Sequence, residues 1–123
     1  MAYDQNNIFA RIIRGEIPCA KVYEDDLTLA FSDIDPKAPV HVLVIPKGAY
    51  VSMNDFHEHA SDAEIAAVTR AVGKVAKITG VDKTGYRLIA NNGADGNQEV
   101  PHLHLHVLGG RHLGGMVKKP EPA

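Results

Sequence analysis

The apolar positions of this chain change their period several times, and each change marks an element. In "NNIFARIIRGEIP", Ile8, Phe9, Ile12 and Ile13 recur at helical spacing, with Asn6 or Asn7 placed to cap the start and Gly15 and Pro18 to stop it. "AKVYED" and "LTLAFSDI" are short β-favouring runs on either side of Asp25 and Asp26, which predicts a hairpin. After a turn at Pro36, "VHVLVIP" is a nearly continuous β-branched run, the pattern of a buried strand that Pro46 ends. Residues 48–60 read as a loop or a single helical turn. The clearest helix is "SDAEIAAVTRAVGKVAKITG", where Ile65, Val68, Val72, Val75 and Ile78 share one face. Ser61 and Glu64 match a capping box at its start, and Gly80 suits the position after its last turn. "GYRLIAN" and "HLHLHVLGG" predict two more strands flanking the glycine-rich "NNGADGN". Two main helices and about five strands, mostly joined by hairpins, predict an α+β domain built on an antiparallel sheet.

Composition narrows this picture. A chain of 123 residues suits one domain with one core. Its formal net charge of −2 gives no broad basic surface for nucleic acid, and no apolar run approaches the ~20 residues that span a membrane. Cys19 is the single cysteine, so neither an internal disulfide nor a thiolate zinc cluster can form. With no secretory pattern at the N-terminus, the expected location is cytoplasmic. Residues 112–123, ending in the polar "VKKPEPA", are expected to form a flexible tail.

The chemistry concentrates in "QEVPHLHLHVLGG". Side chains alternate along a strand, so His102, His104 and His106 fall on one face and Leu103, Leu105 and Val107 on the other, against the long helix. Mere packing suits three aligned imidazoles poorly, because they repel one another when protonated. Three uses stay open at this level. The histidines could hold a transition metal, with Glu99 or His41 completing the ligand set. They could bind a phosphate beside a loop whose Gly93 and Gly96 turn backbone N–H groups toward an anion. Or they could act on phosphorus as nucleophile and acid–base groups, being largely neutral near pH 7. His57, His59 and His112 read as surface or tail residues, and Cys19 as a small packed one.

These motifs resemble a known family. "HLHLHVLGG" fits the histidine-triad signature, in which three histidines alternate with apolar residues. "IFARIIRGEIP", "VYEDDLTLAFSDIDPKAPVHVLVIPK" and "GYRLIANNGADGNQEVPHLHLHVLGG" resemble the Hint-like branch of the histidine triad (HIT) family, over roughly residues 7–111. The resemblance implies a single HIT domain with a five-stranded antiparallel sheet and two main helices, the sheet continued across a homodimer. It implies hydrolysis of nucleoside 5′-phosphoramidates and related AMP or GMP conjugates at the α-phosphorus, without a cofactor. By this likeness His104 is the nucleophile that forms a nucleotidyl-histidine intermediate, and His106 bonds the phosphate oxygens. His102 and His41 support ring orientation and proton movement. From its own surroundings, His41 would read as strand packing.

The same resemblance implies that Asp33 bonds the ribose hydroxyls and that Ile34, Phe31, Ile8, Phe9 and Ile12 form an apolar slot for a purine base. Those apolar residues also suit an ordinary core. Asn91 would meet the phosphate or ribose side, and Asn97, Gln98 and Glu99 would approach the phosphate and leaving group. This chain departs from the pattern in several places. Asn97 stands where many relatives have glycine, and asparagine tolerates positive φ better than most residues. Glu99 replaces the serine of eukaryotic members, and no tryptophan is present near the C-terminus. The cysteine pair that carries a structural zinc in some relatives corresponds here to Asn7 and Ala10, so that zinc is expected to be absent. Two other readings remain: a purine-nucleotide-binding module without turnover, and a metal-dependent enzyme on the three-histidine strand.

Overall fold

The structure is a computed structural model and describes residues 2–120. Its elements run α1 (Ile8–Ile13), β1 (Lys21–Glu24), β2 (Thr28–Ser32), β3 (Val40–Pro46), α2 (Met53–His59), α3 (Asp62–Thr79), α4 (Val81–Thr84), β4 (Tyr86–Ala90) and β5 (Leu105–Gly109). The five strands form one antiparallel sheet in the order β1-β2-β3-β5-β4. The hairpin at Asp25 forms as expected: its carboxylate accepts from the Leu27 and Thr28 amides at 2.9 and 2.8 Å.

Strand alternation divides the side chains between two faces. Ala30, Val42, Val44, Leu105 and Val107 lie on one face and form the main core with Val68, Ala71, Val72 and Val75 of α3. Leu29, Phe31, Leu43 and Ile45 lie on the other and pack with Phe9 of α1. His41 continues this second face along β3, and His106 stands beside Leu43 on β5. The second face therefore passes from apolar packing to imidazoles within two strands.

Local chemistry explains most helix boundaries. Asn7 caps α1 by accepting from the Ala10 amide at 2.9 Å. Both hydrogen bonds of the capping box form on α3, and Gly80 ends the helix at φ 83°. Glu64 also accepts from the Tyr50 hydroxyl at 2.7 Å, so the box ties the helix start to the preceding segment. Replacing Ser61 with alanine is expected to cost about 1 kcal/mol and lower the melting temperature by roughly 4 °C, read by thermal unfolding.

The structure differs from the sequence reading in places. Residues 48–60 contain the nearly two-turn α2, capped by Ser52 at the Asp55 amide and anchored by buried Phe56. The single turn α4, with buried Val81, was not anticipated. On α3 the apolar stripe is longer than its cover: Val68 to Ala76 are packed, whereas Ile65 and Ile78 stand exposed near the two ends. Of the expected flexible tail, residues 121–123 lie outside the described residues. Residues 112–120 carry no helix or strand, although Arg87 reaches the carbonyls of Gly114 and Gly115 at 2.8 and 3.2 Å. Among the described residues, no helix is long and apolar enough to cross a membrane.

Candidate active site

The three alternating histidines do not sit on one regular strand. The ladder begins at Leu105, so His106 alone lies within β5. Its pairing with β4 stops there because β4 ends at Ala90, the partner of Leu105, while β3 runs on through Ile45 and Pro46 without pairing to this segment. The segment before β5 is held differently: the Leu103 amide donates to the Tyr50 carbonyl at 2.8 Å, and the His102 ring donates to the Pro46 carbonyl at 2.9 Å. Alternation nevertheless persists through this extended stretch. Leu103 and Leu105 join the α3 core, and the His104 and His106 rings lie 5.0 Å apart on the opposite side.

Hydrogen-bond partners assign a tautomer to each ring. A carbonyl only accepts, so His104 carries its proton on Nδ1, 2.8 Å from the His102 carbonyl. Its Nε2 is left with a bare lone pair. His41 accepts at Nδ1 from the Lys37 amide at 3.0 Å and therefore holds its proton on Nε2. His41 Nε2 lies 2.9 Å from His106 Nδ1, which accepts that proton, so His106 keeps its own on Nε2. His102 donates from Nε2 to Pro46 and accepts at Nδ1 from the Tyr3 hydroxyl at 2.5 Å. Four neutral rings, each with one proton in an assigned place, satisfy every one of these bonds.

Burial keeps them neutral, because desolvation penalises the imidazolium. It pushes His102 and His106 down to about 4, and the charge of His104 acts on both in the same direction. His104 and His41 are lowered from 6.5, again mainly by burial, with the Asp33 carboxylate opposing the shift in each. At neutral pH the lone pair on His104 Nε2 is available rather than protonated.

A cleft of about 280 Å³ opens on these rings. His41, His104 and His106 line it together with Asp33, Asn91, Asn97 and Glu99, all residues singled out in the sequence. Asp33 also lines a second, apolar slot of about 130 Å³ formed by Ile8, Phe9, Ile12, Phe31 and Ile34. This carboxylate thus stands where polar cleft and apolar slot meet. Phe9 and Phe31 belong to the core as well, while Ile34 is 96% exposed. The positive φ expected at Asn97 is present at 58°, the only such value at a non-glycine among the described residues.

Two singled-out residues lie outside the cleft. Gln98 turns into its own loop, donating to the carbonyls of Val51 and Val100 at 2.6 and 3.0 Å and accepting from the Gly93 amide at 3.1 Å. His102 is 0% exposed, and it touches the site only through the carbonyl that receives the His104 proton. Asn91 lines the cleft, but its amide is committed to the Gly96 carbonyl at 2.6 Å. Sequence reasoning missed Lys37, whose backbone fixes the His41 tautomer, and Tyr3. A backbone amide leaves no side-chain pattern to find.

Asp33, His41 and His106 bring one potential ligand atom each within 4.8 Å of one another. Ligation through His41 Nε2 would move its proton to Nδ1, against the Lys37 N–H that now donates there.

A five-stranded antiparallel α+β domain carrying an alternating histidine segment over a polar cleft defines the histidine-triad class. The HIT domain profile matches residues 14–113. An uncharacterised 13.2 kDa HIT-like protein of Azospirillum brasilense is 62% identical over 117 residues, covering 95% of this chain and 96% of its own. The purine nucleoside phosphoramidase of Escherichia coli (strain K12) is 46% identical over 113 residues, covering 92% and 94%. Among solved structures, a histidine triad protein from Clostridium difficile superposes with a TM-score of 0.83 at 44% identity, covering 94% of this chain and all of its own. A HIT family hydrolase from Legionella pneumophila Philadelphia 1 gives 0.80 at 42% identity, covering 89% and 96%. The chain belongs to the HIT family.

Proposed function

We propose that this protein hydrolyses nucleoside 5′-phosphoramidates and related purine nucleotide conjugates at the α-phosphorus. The observation that carries the reading is the bare Nε2 of His104 on the wall of the cleft, with its proton held behind it by the His102 carbonyl. The relatives named as a phosphoramidase and a hydrolase support it.

In this mechanism the purine occupies the apolar slot and the ribose hydroxyls donate to Asp33. His104 Nε2 attacks phosphorus, the P–N bond breaks, and the amine leaves as it takes up a proton from the solvent-open cleft. Water then attacks the nucleotidyl-histidine and gives a proton back to solvent as its oxygen bonds to phosphorus. The P–N bond to His104 breaks, and the nucleotide monophosphate is released with the imidazole restored. His106 Nε2–H, kept in place by His41 and the Lys37 amide, donates to the phosphoryl oxygens as their charge grows. His102 orients the nucleophile without touching substrate, and Glu99 stands exposed at the mouth, on the leaving-group side.

The proposal includes a cytoplasmic location, in keeping with the free Cys19, and a homodimer whose sheets join through β4. That strand is an unpaired sheet edge with Tyr86 and Leu88 42% and 49% exposed.

The test is turnover of adenosine 5′-phosphoramidate by EDTA-treated protein, with denaturing mass spectrometry of the quenched reaction. Metal-free turnover is expected, with the mass of a nucleotidyl group on the peptide containing His104. The acid limb of kcat/KM is expected below the ordinary imidazole value of 6.5, because burial lowers His104. Nucleotide binding without turnover would replace the enzyme with a binding module. Turnover only after zinc or iron is restored would replace the nucleophile with a metal site.

A further inference from the structure

The first residues of the chain reach the site from behind. Tyr3 gives its hydroxyl to His102 Nδ1 at 2.5 Å across 99 positions of sequence, and the two rings meet edge-on at 5.5 Å and 67°. A built arm holds it there. The Asp4 carbonyl accepts from the Asn7 amide and side chain at 3.2 and 2.8 Å, and the Asp4 carboxylate accepts from the Asn6 amide at 2.9 Å. Arg14 donates to the Gln5 carbonyl at 2.7 Å. Residues 3–7 are thereby fastened to both ends of α1, whose Phe9 packs edge-on against His102 and His104 at 6.2 and 4.9 Å.

The Pro46 carbonyl only accepts, so it alone sets the His102 proton on Nε2, and the buried Nδ1 lone pair is then satisfied by the Tyr3 O–H. Without that donor a buried acceptor is left unpaired, and the ring keeps one of the two hydrogen bonds that fix its position. We infer that Tyr3 is a positioning residue for the reaction: its O–H anchors the second nitrogen of the His102 ring whose first is tied to Pro46, and so fixes the segment whose carbonyl orients His104. This rests on His104 being the reacting group of the proposed hydrolysis.

The experiment compares wild type with Tyr3→Phe, which keeps the ring and its edge contact and removes only the donor. Ring-nitrogen ¹H–¹⁵N spectra read the tautomers, and steady-state kinetics with adenosine 5′-phosphoramidate reads the consequence. In wild type, His102 is expected wholly in the Nε2–H form. In Tyr3→Phe, Nε2 is expected to stay protonated while the Nδ1 signal shifts on losing its donor, the His104 signals to move with it, and kcat to fall about five-fold with KM within about two-fold. Gln5→Ala, which keeps the arm's backbone carbonyl, is expected to match wild type in both readouts. Tyr3→Leu, lacking ring and donor, is expected to behave as Tyr3→Phe does. If Tyr3→Phe matches wild type and only Tyr3→Leu is impaired, tyrosine is a cover and the inference is overturned. Unchanged His102 and His104 signals in Tyr3→Phe overturn it as well, as does a moved spectrum with unchanged kcat. If wild type turns over no phosphoramidate, the proposed hydrolysis fails, and with it the positioning role. The spectra then report only whether the phenol anchors the His102 ring.

Discussion

His104→Ala is expected to lower kcat for a nucleoside phosphoramidate by at least ~10³-fold, equivalent to roughly 4 kcal/mol of barrier. The size follows from the geometry. Among the rings that line the cleft, His104 is the one whose bare nitrogen is not already accepting a hydrogen bond: His41 Nδ1 takes the Lys37 amide and His106 Nδ1 takes the His41 proton. No neighbour can therefore replace it without dismantling a bond that holds the site. The substitution leaves the Pro46 to His102 tether in place and removes a ring that packs on Phe9, so the cleft should still bind nucleotide. Single-turnover kinetics with mass detection of the adduct checks this. The expected variant binds AMP and forms no adduct. A variant that retains turnover within ten-fold of wild type would remove His104 from the reaction. His41→Ala makes an instructive contrast, since it leaves the nucleophile but frees His106 to exchange tautomers; a smaller loss, in the range of general acid–base effects of about 10²-fold, is expected.

What could be read from sequence depended on how local the cause was. The buried strand "VHVLVIP" and the capping box of α3 are set by neighbours within a few residues, and both form where expected. Helix α2 had an equally local signal, Ser52 three residues before Asp55 with Phe56 behind, but its weak periodicity hid it. The histidine segment shows where locality ends. Alternation correctly separated the histidines from Leu103 and Leu105, yet the strand begins only at Leu105, opposite the last residue of β4, and the length of β4 is set elsewhere in the chain. His41 looks like packing in its own strand; apart from its place as a candidate metal ligand, only the family resemblance gave it a role. Its role comes from a register pairing with β5 and from the Lys37 amide, neither of which a residue pattern encodes. Tyr3 is the extreme case, since its partner is 99 positions away.

The same burial that frees His104 as a nucleophile makes the fold sensitive to acid, and His102 should dominate the effect. Its native value is about 4 against 6.5 for an ordinary histidine, so between those values the unfolded chain binds a proton that the native protein refuses. Stability from this ring is full above about pH 6.5 and is lost as the pH falls toward 4; below that the native state protonates too and the loss levels off. Linkage gives a loss of about 2 to 3 kcal/mol between pH ~7 and pH ~4.5, or roughly 10 °C in melting temperature for a chain of this size. His106 acts in the same direction, reduced by its partial exposure to the cleft. His59 acts in the opposite one, since Asp55 raises it, but that pair is exposed and screened by solvent. Carboxylates held low enter near their ordinary values, 3.8 for Asp25 and Asp55 and 4.5 for Glu64, so they contribute mainly at the acid end of the window and most of it belongs to the buried rings. The measurement is urea unfolding of wild type and His102→Leu at the two pH values. His102→Leu is expected to be less stable at neutral pH, because the Pro46 carbonyl and the Tyr3 hydroxyl lose their partner, yet to lose about 2 to 3 kcal/mol less than wild type on acidification. Equal losses in the two proteins would mean that His102 is protonated in the native state well above pH 4, and the neutral-ring assignment on which the site rests would fall with it.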